Sequence, residues 1–187
     1  MFRTKVDLPK YDFGLHHQQK ILSMGSCFSE NMGARLTEAA FDVKVNPFGV
    51  LYNPASIAKS LDNLLHKSMF TSSDLMRNGE LWASFSHSTL YSATHPDACL
   101  ELINKDFFAA KYQLANADVL LLTLGTAWVF EFQATREIVS NCHKIPSAQF
   151  NRRRLTVAEI VETYRPLLRK LCDLNTELKI ILVRPFY

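Results

Sequence analysis

The chain has 187 residues, long enough for one domain with a sizeable core, and the whole of 1–187 reads as that one domain. Its 48% apolar and 21% charged residues are ordinary for a globular protein in water. A net charge of +3, with dispersed Lys and Arg, argues against a nucleic-acid partner. No apolar run is long enough to span a bilayer, so no membrane partner is expected. The N-terminus lacks the apolar core of a signal peptide. The four cysteines, Cys27, Cys99, Cys142 and Cys172, have no CxxC spacing and read as reduced thiols of a cytoplasmic protein.

In chain order, residues 1–19 read as an irregular arm, with His16-His17 as polar surface. Lys20–Gly25 is the first strand: Ile21, Leu22 and Met24 are apolar, and Gly25 breaks the run. A helix follows, with Ser26 or Ser29 placed to cap it. Val43–Phe48 is short and β-branched and ends at a proline, as a second strand does. Pro54 suits the first turn of the next helix, where Ile57, Leu61, Leu64 and Leu65 form an apolar stripe.

Residues 68–96 break this rhythm and read as an insertion outside the main sheet. Asn78-Gly79 marks a turn, and Leu81–Phe85 alternates weakly, like an edge strand. A helix is expected from about Asp97 to Gln113. Val119–Leu124 is continuously apolar and suits a central parallel strand covered on both faces. Trp128–Phe132 and Glu137–Ser140 alternate and are expected to pair as a hairpin. Arg152-Arg153-Arg154 reads as a solvated loop. Thr156 caps a long helix, Val157 to about Leu174, with Pro166 inside it. Leu178–Val183 is the last strand. The alternation predicts a three-layer α/β sandwich with a mainly parallel sheet. Its ligand site belongs beyond the carboxyl ends of the strands. That rule gathers the loops at Gly25–Ser29, Gly49–Asn53 and Gly125–Trp128 around one cleft.

The turn Gly25-Ser-Cys-Phe-Ser29, with Ile21-Leu-Ser-Met24 before it, resembles the GSCFA domain family. Asn46-Pro-Phe-Gly-Val-Leu-Tyr-Asn-Pro54, Leu124-Gly-Thr-Ala-Trp-Val-Phe130 and Asn141-Cys-His-Lys144 add to the resemblance in the same order. The family is placed near the SGNH (GDSL-type) hydrolases, which implies a flavodoxin-like sandwich. It also implies a hydrolase or acyl transferase acting on an ester, such as an O-acylated carbohydrate. No cofactor is implied, and metal binding by His87, Cys142 and His143 matches no familiar spacing.

Registered on Gly25 and Glu30, Cys27 takes the nucleophile position of the superfamily; registered by residue type, Ser26 does. A thiol at a helix N-terminus is a good nucleophile, whereas the commonest fate of a free cysteine is burial as a small apolar residue. Gly49 corresponds to the glycine that donates an oxyanion N–H. Gly125-Thr-Ala-Trp128 departs from the third block, with Ala127 in place of the oxyanion asparagine; Thr126 is a weak substitute. Asn53 and Asn141 are added as binding candidates.

His143, beside Asn141 and Lys144, is the first candidate for a general base, and His87 the second, because its segment shows no regular pattern. The superfamily's own Asp and His follow the last core strand. The resemblance therefore predicts a copy lacking its C-terminal part, with an apolar surface left at the last strand. The opposing expectation is a binding module that keeps the cleft without the chemistry.

Overall fold

The computed structural model describes residues 12–183. Its centre is a four-stranded, all-parallel sheet of β1 (Lys20–Gly25), β2 (Asp42–Val45), β5 (Val119–Thr123) and β9 (Lys179–Val183), in the order β2-β1-β5-β9. Both central strands are largely buried on both faces, as parallel strands covered on two sides are. Leu22, Met24, Leu120 and Leu122 point into the main core with the buried residues of α2 (Pro54–His66), α3 (Pro96–Ala115) and α4 (Val157–Leu174). The opposite face carries Ser23 and Thr123, and both meet Ser29 of α1 (Cys27–Glu38). The expected strands, helices and central place of 119–124 are therefore present, with ends shifted by one to three residues.

The helix starts follow local chemistry. Ser26 caps α1, Asn53 caps α2 with Pro54 in its first turn, and Thr156 forms a capping box with Glu159 at α4. Gly33 lets α1 approach β2, since a Cβ there would strike the Val45 side chain.

Two smaller sheets flank this unit. β3 (Met76–Asn78) and β4 (Leu81–Ala83) form a hairpin around Gly79, outside the main sheet as expected. The segment is far from irregular, because Phe70, Ala83, His87 and Tyr91 are all buried. The second sheet is antiparallel, in the order β7-β6-β8, from β6 (Trp128–Phe132), β7 (Ile138–Val139) and β8 (Phe150–Arg154). The hairpin pairing of β6 with β7 matches the alternation.

β8 corrects the reading of the arginine run as a solvated loop. Arg152, Arg153 and Arg154 pair with Phe130, Val129 and Trp128. Phe150, buried against Phe85 and Phe132, anchors the strand, and Arg153, on the face of the buried Val129, pairs with Glu131 and Glu159. Net charge concealed this alternation. His17 is not plain polar surface either: its ring stacks on Phe41 at 4.3 Å and its Nε2 lies 3.0 Å from the Ala39 carbonyl. The rest of the expected arm, residues 1–11, lies outside the described residues, as does Arg184–Tyr187, where the shortened C-terminal end was expected. Leu182 of β9 is half exposed.

Candidate functional site

The chain passes from β1 into α1 through one sharply constrained residue. Gly25 has φ +138, and a Cβ there would collide with the Thr123 carbonyl. The next residue, Ser26, is only 9% exposed. Its amide donates to Thr123 Oγ1 at 2.8 Å, its hydroxyl lies 3.1 Å from the same oxygen, and it accepts from the Phe28 amide at 3.3 Å. Ser29 Oγ reaches Thr123 Oγ1 at 2.9 Å and accepts from Ser23 Oγ at 3.2 Å. Four hydroxyls thus satisfy one another where β1 and β5 end. Hydroxyls buried between apolar strands need such partners. Cys27, the first residue of α1, is exposed, so its fate is not that of a small core residue.

The loops from three strands meet here. Asn46, with φ +42, receives the Gly25 amide on its Oδ1 at 2.9 Å. The Gly25 carbonyl accepts from Leu51, and the Tyr52 carbonyl accepts from Gly125 and Thr126. A Cβ on Gly125 would sit 3.3 Å from Ser26 Cβ, so the two residues touch. The structure therefore brings Ser26, Cys27, Gly125, Thr126 and Asn53 to one end of the sheet, with Tyr52 half exposed among them. Beside the turn lies a groove of ≈ 660 Å³ lined by Glu30, Ala34, Val45, Asn46, Gly49 and Tyr91, among others.

The two glycine amides expected for an oxyanion are already engaged, and the side-chain oxygens of the other candidates accept local backbone amides. The Gly49 amide donates to Asn46 O at 2.7 Å, and the Gly125 amide to Tyr52 O at 2.8 Å. Gly49, with φ +80, packs against Ser88, which makes it a turn glycine. Asn53 Oδ1 is taken by the Ser56 amide, Thr126 Oγ1 by the Trp128 amide and Asn141 Oδ1 by the His143 amide.

Both histidines belong to a different cluster, organised on Ser84. His143 Nε2 lies 2.8 Å from the Ser84 carbonyl, and His87 Nδ1 lies 3.1 Å from Ser84 Oγ. His87 is fully buried, stacked on Phe48 at 4.9 Å and edge-on to Phe70 at 4.8 Å and Tyr91 at 5.2 Å. Burial lowers its pKa to about 3, with His143 adding to the effect and Asp74 and Asp106 opposing it. Burial also lowers the pKa of His143, against the pull of the Ser84 and His87 carbonyls. Among the described residues neither histidine hydrogen-bonds to Ser26 or Cys27. No group of His, Cys, Asp and Glu among them is arranged to hold a metal ion.

The turn, the loop at Asn46–Pro54 and the strand ends all lie inside one match: the GSCFA family model covers residues 20–184. The chain belongs to the GSCFA family. No curated protein and no solved structure matches it. Among the described residues no helix is long and apolar enough to cross a membrane.

Four residues of this GSCFA site escaped the sequence reading: Ser23, Asn46, Tyr52 and Thr123. Two had a legible signal. Ser23 and Thr123 are hydroxyls inside otherwise apolar buried strands, and each therefore demands a partner. The roles of Asn46 and Tyr52 rest on loop conformation, which spacing does not reveal.

Proposed function

We propose that this GSCFA protein is an SGNH-like hydrolase or acyl transferase acting on an ester, with Cys27 as nucleophile. The supporting observation is the division of labour at the turn. Ser26 is buried, caps α1 and is tied to Thr123, while Cys27 is exposed at the first position of the same helix. The order β2-β1-β5-β9 reverses direction at β1, and ligands favour such a point beyond the strand ends. In this reading Cys27 Sγ attacks the ester carbonyl carbon, the C–O bond to the alcohol breaks, and the alcohol leaves with the thiol proton. Water, or a second alcohol, then cleaves the thioester and restores the thiol. With the Gly49 and Gly125 amides engaged and the Phe28 and Glu30 amides turned to Ser26, the remaining first-turn amides of α1, those of Cys27 and Ser29, are the donors for the oxyanion.

The attachment of both histidines to Ser84 favours a second reading, a binding module without turnover. Hydrolysis of a short-chain aryl ester separates the two. Cys27→Ala is expected to lose at least about tenfold in rate, Ser26→Ala to lose less, and folded His143→Ala to keep most of the activity. Equal rates in the intact protein and all three variants would leave the binding module.

A further inference from the structure

One face of the β6–β8 ribbon is exposed at its Trp128 end and buried at its Phe150 end. Residues alternate faces along a strand, so Trp128 and Phe130 of β6 share one face with Arg152 and Arg154 of β8. Trp128 is 41% exposed and Phe130 38%, whereas Val129 between them is fully buried. The Arg152 guanidinium lies 4.2 Å from the centre of the Trp128 ring. The arginine between, Arg153, points the other way and is neutralised by Glu131 and Glu159. Arg152 and Arg154 make no ion pair among the described residues, and their alternate positions on this face include no carboxylate. Two unpaired guanidinium groups flanking an exposed indole complement a negatively charged ligand with flat, weakly polar faces.

The face adjoins the candidate site. Gly125 touches Ser26, the Trp128 amide donates to Thr126 Oγ1, and Leu155 after β8 donates to the Ala127 carbonyl. Three residues of extended chain span at most about 11 Å, so Trp128 starts within two or three sugar units of Gly125. We propose that this Trp128–Arg152–Arg154 face binds an acidic carbohydrate chain. A pyranose stacks on the part of the Trp128 indole that Arg152 leaves exposed, and sugar carboxylates pair with Arg152 and Arg154. Its assignment as the substrate rests on the ester chemistry proposed at Cys27; the binding itself does not.

Affinity electrophoresis through gels holding partially O-acetylated polygalacturonate tests it, with O-acetylated glucomannan as the neutral control. Retardation by the acidic polymer only is expected. Arg152→Gln with Arg154→Gln should weaken it about tenfold, and Trp128→Ala should weaken it without a change of charge. Retardation retained in both variants, none in the intact protein, or equal retardation by the neutral polymer would overturn the proposal. So would tighter binding of a single-stranded oligonucleotide, which would make the face a nucleic-acid surface. Cys27→Ala carries the separation from catalysis. Retardation unchanged in this variant supports the binding face, and acetate release by the intact protein is the separate readout of the ester reading.

Discussion

The Ser26–Thr123 cluster and the Ser84–histidine cluster are both buried and polar, yet they are built to opposite ends. In the first, hydroxyls satisfy one another and none carries a titratable charge; the thiol of Cys27 stands outside in solvent. In the second, the titratable groups themselves are sealed in. His87 lies among Phe48, Phe70 and Tyr91, and His143 is only 4% exposed. A residue type that suggests catalysis thus serves the interior, while a thiol that suggests burial faces water. Exposure separates them, and exposure is what the sequence shows least.

The largest expected effect is acid instability arising from the histidine cluster. The folded-state pKa of His87, about 3, lies below its ordinary value of 6.5, so the unfolded chain binds the proton first. Stability is therefore fully present above about pH 6.5 and is lost as pH falls toward 3. A shift of that size corresponds to about 3–5 kcal/mol, and His143 acts in the same sense. Thermal unfolding followed from pH 7 to pH 4 should show a steep fall in Tm. His87→Phe keeps the ring stacking without the titration and should flatten the profile. An unchanged slope in that variant would separate the acid response from His87.

Gly25→Ala attacks the other cluster at its most constrained point. The added methyl meets the Thr123 carbonyl, and φ +138 is a conformation that alanine rarely adopts. Backbone strain and overpacking together predict a loss of about 2–4 kcal/mol. Denaturant unfolding measures it. A loss well below that range would mean that the β1–α1 turn relaxes easily and holds Cys27 less rigidly than the geometry implies.

The parallel sheet was legible because it is written in apolar runs. Val119–Leu124 can be buried on both faces in few other ways, and Pro54 and Thr156 mark helix starts by their own backbone chemistry. β8 was not legible: Arg152, Arg153 and Arg154 show no change of polarity along the strand, and only their partners reveal that Arg153 alone meets carboxylates. At the site, the Ser26–Cys27 turn and the meeting of the Gly25 and Gly125 loops were readable from strand ends and glycines. The engagement of the Gly49 and Gly125 amides was not, because it follows from the path of the Asn46–Tyr52 loop. The hydrogen-bond partner of His143 was not legible either, for a topological reason. The return from β7 leads to Ser84 on the neighbouring hairpin segment, where the ring finds a carbonyl acceptor.

Thr123→Val sharpens the comparison with the smallest effect. Valine matches threonine in shape but removes the oxygen shared by the Ser26 amide, Ser26 Oγ and Ser29 Oγ. Two of these groups keep a fallback: the Ser26 amide has the Thr123 carbonyl at 3.3 Å, and Ser29 Oγ has Ser23 Oγ at 3.2 Å. The expected cost is therefore about 1–2 kcal/mol rather than that of a buried group left wholly unpaired. The Ser26 hydroxyl, freed on one side, holds the cap of α1 less firmly, so alkylation of Cys27 by iodoacetamide should change in rate while the Ser84 cluster is untouched. Thr123→Ser restores the oxygen and should restore both stability and alkylation rate. A Thr123→Val protein as stable as the original, with unaltered Cys27 reactivity, would show that α1 packing alone sets the turn and that the hydroxyl network only fills space.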